Sequence, residues 1–249
     1  MTHLHIERLA DGLLRHTAAF ADAVAGADWE RRVPTCPRWP LRVLVGHVGQ
    51  GRHWAAGVVR GAPPDGVPDP RAAVVPPDWR AWLLAGATAL ADTVREAGAE
   101  ARVWTPTGPG PASSLLRQAA HDTAVHSVDA ALMTGAPYGI ERDLAADAVS
   151  LNLELLSSPA IVASRPALTA LRGTGTIALR PTDGPVDGWV VTRRADGVSW
   201  RHGTAPADVT VTATAETLIL VLMHRLPPHD ATVEGDHALF AHWLEHNAL

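Results

Sequence analysis

The feature that most constrains this chain is a change of hydrophobic period near Gly173. Before it, apolar residues recur every three or four positions; after it, they alternate. Ile6, Leu9, Leu13, Phe20 and Val24 fall near helical spacing and predict a first helix over about Thr2 to Gly26. Leu41, Leu44, Val48, Trp54 and Val58 form one broad face of a second helix, which follows Pro40 and stops at Gly61. A Pro-rich loop, Ala62 to Pro77, leads to a third helix with Asp78 as its N-cap and an end near Gly98. Ser113 or Ser114 can cap a fourth helix that Gly135 closes, and a fifth spans about Arg142 to Leu156. Four long helices, each with a core-facing stripe, predict a bundle.

Beyond Gly173, the segments Thr176 to Arg180, Gly188 to Arg193 and Val198 to Arg201 read as short strands, with Asp183-Gly184 and Asp196-Gly197 as turns between them. Asp208 to Ala213 alternates valine and threonine, as a half-buried strand does. Ala215 to Arg225 reads as a helix, Ala231 to Glu234 as a strand and Asp236 to His246 as a last helix. The expected fold class is α+β in two domains. A four-helix bundle occupies residues 1–160 and a smaller α+β domain residues 173–249, with the boundary between Pro159 and Gly173.

Composition excludes several function classes. A net charge of −5 offers no basic stripe for nucleic acid. The single cysteine, Cys36, cannot make an internal disulfide, so nothing calls for an oxidising compartment. No basic segment followed by an apolar core opens the chain, and no apolar run approaches the roughly 18 residues of a membrane span. A cytoplasmic protein without a membrane partner is expected; monomer and homodimer fit equally well. Every basic residue other than histidine is arginine, which together with abundant Ala, Gly and Pro points to a GC-rich genome.

The chemistry concentrates on the fourth helix. Leu115, Ala119, Asp122, His126, Ala130 and Met133 fall at steps of three and four and share one face. A core-facing stripe therefore carries a carboxylate and an imidazole one turn apart. A buried carboxylate persists only when compensated. A metal ion held jointly by positions i and i+4 is one compensation; pairing between Asp122 and His126, or with an arginine, is the other. His47, three residues after Leu44 on the second helix, is a possible third ligand, and Gly46 and Gly49 beside it permit close approach of another helix. Two nitrogens and one oxygen would leave zinc an open fourth position, as catalytic sites do.

Val33 to Gly61 (VPTCPRWPLRVLVGHVGQGRHWAAGVVRG) and His121 to Tyr138 (HDTAVHSVDAALMTGAPY) resemble the two ordered motifs of mycothiol-dependent maleylpyruvate isomerases, members of the DinB-like helical-bundle superfamily. The first is a Cys-Pro-Gly-Trp-like stretch followed by a helix whose histidine, matched by His47, binds metal. The second is usually Glu-x-x-x-His-Arg-x-Asp-Ala, and its metal-binding glutamate and histidine fall on Asp122 and His126. TIALRPTDGPVDGWVV and the later Val233-Glu234-Gly235-Asp236 resemble the family's C-terminal α+β domain. The resemblance implies a divalent metal, zinc by default, and mycothiol as the thiol cofactor. The metal-bound thiolate would add to the cis double bond of an electrophile such as maleylpyruvate; elimination after bond rotation makes an isomerase, and retention of the adduct an S-transferase. Three positions depart from the pattern: Asp122 for glutamate, Ser127 for arginine and Arg38 for glycine.

Arg52 is the candidate catalytic cation for a diacid, with a solvated arginine as the alternative reading. Asp129, three residues after His126, could orient that ring or form a helix salt bridge. His121 points roughly 100° from Asp122 around the helix, towards an outer or surface role. His53 falls on another face from His47. Cys36 reads as structural, and Trp39, Trp54 and Trp104 as core or pocket walls. His224-Arg225 and the histidines from His229 to His246 show no ligand spacing, and Arg193, Arg194 and Trp200 are candidates to reach a pocket. Two other functions remain open: a non-catalytic binding protein that kept the bundle, and a thiol-independent metal hydrolase.

Overall fold

Helix α1 (Ile6–Ala23) begins after His5, whose Nδ1 accepts from the Glu7 amide at 3.3 Å in this computed structural model. The structure describes residues 4–64 and 66–248, so the expected helical start at Thr2 lies outside the described residues. Helix α2 (Leu41–Val59) follows a small hairpin, β1 (Arg32–Val33) and β2 (Cys36–Pro40). The carbonyls of Arg31 and Trp29 accept the Leu41 and Arg42 amides, both at 3.0 Å, satisfying donors that open every helix unpaired. The sequence shows no sign of this hairpin, because CPRWP is a proline-rich run and two-residue strands carry no alternation.

Helix α3 (Trp79–Ala97) follows Asp78, whose carbonyl rather than its side chain accepts from the helix, and ends at Gly98 with φ 89°. A second small pair, β3 (Arg102–Val103) and β4 (Gly110–Pro111), leads into α4 (Ala112–Thr134). Ser113 and Ser114 lie inside the first turn of α4 and do not occupy the cap position. The Ala112 and Ser113 amides are taken by the carbonyls of Ala101 (2.8 Å) and Ala99 (3.0 Å), so no hydroxyl is needed there. Gly135 closes α4 in the left-handed conformation, φ 79°.

Helices α1 to α4 share one core that includes Phe20, Leu41, Leu44, Val48, Leu83, Ala130 and Met133. Helix α1 packs along α4 and α2 along α3. At Gly49 on α2 a Cβ would run into the Trp82 ring of α3, so glycine is what admits that indole.

The chain divides into two compact units, Met1–Gly139 and Ile140–Leu249. The division falls before the expected boundary at Pro159 to Gly173, and it assigns α5 (Arg142–Leu156) to the second unit, where it packs on α7 (Ala215–Leu222). Helical periodicity marks α5 as buried; it cannot say against what.

The second unit also holds the short helix α6 (Pro159–Ser164), a 3-10 segment (Pro166–Leu171) and a five-stranded sheet. The strands are β5 (Thr176–Pro181), β6 (Trp189–Arg194), β7 (Gly197–His202), β8 (Val209–Ala213) and β9 (Thr232–Gly235), in the order β7-β6-β5-β8-β9. All neighbours are antiparallel except β5 and β8, which run parallel from Ile177 opposite Val209 to Pro181 opposite Ala213. The Trp189 indole is fully buried and donates to Ser150 Oγ at 2.9 Å. Helix α7 starts on the Thr214 hydroxyl and stops at Leu222, short of Arg225, because His224 takes φ 61°. Helix α8 (His237–His246) starts on Asp236, which accepts the Leu239 amide at 2.9 Å. Among the described residues no helix is long and apolar enough to cross a membrane.

Candidate metal centre

Helices α2 and α4 bring His47, Asp122 and His126 together. Asp122 Oδ1 lies 3.4 Å from His47 Nε2 and 3.4 Å from His126 Nε2. All three ligand atoms fall within 4.8 Å of one another. Bonds of roughly 2.0–2.1 Å to a tetrahedral ion would set neighbouring donors about 3.3–3.4 Å apart, so both distances from Oδ1 would suit a shared ion and are long for a hydrogen bond. The set is asymmetric in exposure: the His126 side chain is 8% exposed, His47 22% and Asp122 37%. The carboxylate, expected to be buried, instead stands at an accessible edge.

The second carboxylate oxygen is engaged by an arginine. Arg52 reaches from α2 and donates to Asp122 Oδ2 at 2.7 Å, to the Ala119 carbonyl at 3.2 Å and, through Nε, to Thr123 Oγ1 at 2.9 Å. Its side chain is 5% exposed. Arg52 is therefore neither a solvated arginine nor an unengaged cation facing a substrate. It fixes Asp122 with Oδ1 towards the two imidazoles.

Asp129 approaches His126 from the far side. His126 Nδ1 donates to Asp129 Oδ2 at 2.7 Å, so Nε2 faces Asp122 Oδ1 and is the nitrogen that offers a lone pair when the ring is neutral. Asp129 is fully buried and accepts from the Thr35 hydroxyl at 2.6 Å, while Cys36 Sγ donates at 3.7 Å. Both residues come from the hairpin the sequence did not show. Cys36, His126 and Asp129 are also close enough for an ion, but their shared histidine already gives Nδ1 to the strong 2.7 Å bond. From the same hairpin, the Trp39 ring lies 5.2 Å from that of His47 and 6.3 Å from that of His126, forming a wall.

These contacts set the protonation states. For His126, burial disfavours the imidazolium, but the carboxylates of Asp122 and Asp129 outweigh it and push the group up to about 9. For His47, burial prevails over the attraction of Asp122 and holds the ring below its ordinary value. Burial would raise Asp122, but His126, Arg52 and His47 keep it well below the usual carboxylate range.

The other candidates lie elsewhere. His53 donates to the Trp82 carbonyl (3.0 Å) and stacks on that indole. His121 is buried rather than at the surface. Ser127, in place of the expected arginine, donates to the Ala124 carbonyl at 2.7 Å. Trp54 and Trp104 meet edge to face, 5.8 Å apart. Arg193 is bound within its own unit, to the carbonyls of Leu171 (2.9 Å) and Arg172 (2.8 Å). The sequence missed one cluster, His242, Glu245 and His246 on α8, whose ligand atoms also lie within 4.8 Å of one another. Its i, i+3, i+4 spacing was the available signal.

Among known families, that of the mycothiol maleylpyruvate isomerase N-terminal domain matches residues 11–131. That span contains His47, Arg52, Asp122, His126 and Asp129. Crystal structures of the mycothiol-dependent maleylpyruvate isomerase (TM-score 0.55) and of a histidine-to-alanine mutant of it (TM-score 0.54) share the fold, each at 14% identity over 94% of this chain and 96% of theirs. No curated protein sequence matches this chain.

Proposed function

Because the chain belongs, through residues 11–131, to the family of mycothiol maleylpyruvate isomerase N-terminal domains, we propose that it is a metal- and mycothiol-dependent enzyme that activates the thiol for addition to an electrophilic small molecule. Isomerisation of a maleylpyruvate-like cis-alkene or S-transfer would follow from the same addition. The observation that carries this reading is the convergence of His47, His126 and Asp122, with Asp122 Oδ1 3.4 Å from Nε2 of each histidine and Oδ2 held by Arg52. Three protein donors leave a position for the thiol, and zinc suits two imidazoles and one carboxylate. The bound metal would supply a Lewis-acid position at which a thiol loses its proton near neutral pH.

The chain's own residues have distinct tasks in this reading. Asp129 holds the Nδ1 proton of His126 and so fixes the tautomer that presents Nε2. Arg52 and Thr123 keep Asp122 monodentate, and the arginine contributes positive charge towards a thiolate. The shorter aspartate, where the family commonly has glutamate, is held towards the centre by this brace. Trp39 shields the rings of His47 and His126 on one side, and the exposed edge of Asp122 provides access. The catalytic unit is the DinB-like four-helix bundle, a reading supported by the mutual packing of α1 to α4.

The test uses metal-replete protein with maleylpyruvate and a generic electrophile side by side. Thiol-dependent turnover is expected, and His126→Ala should abolish it together with bound metal. Turnover that proceeds equally without thiol would replace this reading with a hydrolase. Ligand-induced stabilisation without any turnover would replace it with a binding protein.

A further inference from the structure

Helix α8 ends in His-Trp-Leu-Glu-His, residues His242 to His246. Positions i and i+4 of a helix lie one above the other, with i+3 beside them. The helix buries Leu239, Phe240, Trp243 and Leu244, so its opposite edge carries His242, Glu245 and His246. The two imidazole rings stand 4.4 Å apart, and one ligand atom from each of the three residues falls within 4.8 Å of the others.

The hydrogen bonds of the two rings are informative. His242 Nε2 donates to the Ala170 carbonyl at 3.0 Å, and His246 Nδ1 donates to the His242 carbonyl at 2.9 Å. A neutral imidazole has one N–H and one lone pair. With each N–H given to a backbone carbonyl, the lone pairs sit on His242 Nδ1 and His246 Nε2. An outer acceptor that fixes the tautomer is what ligating histidines usually have. Glu245 is exposed. The platform is also anchored. Asn247, just past the helix, is buried, donates to the Leu222 carbonyl at 3.0 Å and meets His224 Nε2 at 2.8 Å.

We propose that His242, Glu245 and His246 form a second metal site, on the C-terminal unit, for a divalent first-row cation of the zinc type. Two imidazoles and one carboxylate match zinc, nickel and copper, and exclude calcium and magnesium, which require oxygen ligands. The ion would hold successive turns of α8 together, and His242 would keep its hydrogen bond to the Ala170 carbonyl of the 3-10 segment. The site is independent of the centre on α2 and α4 and stands if the catalytic reading fails.

The experiment is a zinc titration of metal-free full-length protein, followed by calorimetry, on four chains. His126→Ala removes a donor from the α2–α4 centre, and this chain is expected to bind one zinc that raises its melting temperature. Adding His246→Ala or His242→Ala to it should weaken that binding by at least about 100-fold, since even an outer partner of a ligand is worth 10- to 100-fold. Adding Glu245→Gln, at an exposed position where folding is not at stake, should weaken it about tenfold or more by the same standard. The proposal is overturned if the His126→Ala chain binds no zinc, or if its zinc affinity is the same with and without Glu245→Gln and the histidine changes. A His126→Ala chain that still binds two zinc ions would overturn the ligand set of the catalytic reading and leave the α8 site standing.

Discussion

Metal binding at the α2–α4 centre should release one proton per ion near neutral pH. His126 must be neutral to offer Nε2, yet in the metal-free protein its two carboxylate neighbours hold it up to about 9. At pH 7 about 99% of it is protonated, so displacing that proton lowers apparent affinity about 100-fold, or roughly 2.7 kcal/mol. His47 lies below its ordinary value and Asp122 far below its own, so neither contributes a proton at that pH. The logarithm of the association constant should therefore climb with a slope near one between pH 7 and about 9, then flatten. An unperturbed histidine would flatten by pH 6.5, roughly. Calorimetry in buffers of different ionisation enthalpy counts the protons, with the α8 histidines replaced so that only this centre is read. Affinity independent of pH over that window, or release of two protons, would refute the electrostatic account of His126.

The same group links the stability of the metal-free chain to pH. A raised folded value stabilises fully below the unfolded value near 6.5 and is lost as pH rises through about 9. Denaturant midpoints should fall across that window by an amount corresponding to about 3 kcal/mol at most, and a rise would contradict the assignment. Asp129→Asn keeps the shape but removes the charge that receives the His126 proton; metal affinity by chelator competition should drop about 10- to 100-fold. Arg52→Met leaves Asp122 Oδ2 and Thr123 without their donor. Breaking a fully buried pair costs about 3–5 kcal/mol, and the partial exposure of Asp122 reduces this to about 1–3, readable in urea titrations. Gly49→Ala forces the Trp82 indole aside, and a loss of about 1–3 kcal/mol with altered tryptophan fluorescence is expected.

Periodicity carried much of the architecture. The helix Arg142–Leu156 and the order of strands and helices after Gly173 were legible because their apolar spacing is local information. So was the grouping of Asp122 with His126, since four residues along a helix fix a face. The sequence also determined, through His47 and the ordered motifs, which third residue to suspect. Tertiary structure decided what those groups do to one another. Arg52 is five residues from His47 in the chain, and nothing local says that it will clamp Asp122 Oδ2 across two helices. Thr35 and Cys36 lie more than ninety residues before Asp129, on a hairpin too short to show alternation, yet they position the carboxylate that orients His126. The assignment of α5 to the second unit has the same origin, because a stripe records burial and not its partner. Local spacing fixes which side chains share a face. Charge, proton placement and exposure depend on contacts distant in sequence, and only the folded chain brings those together.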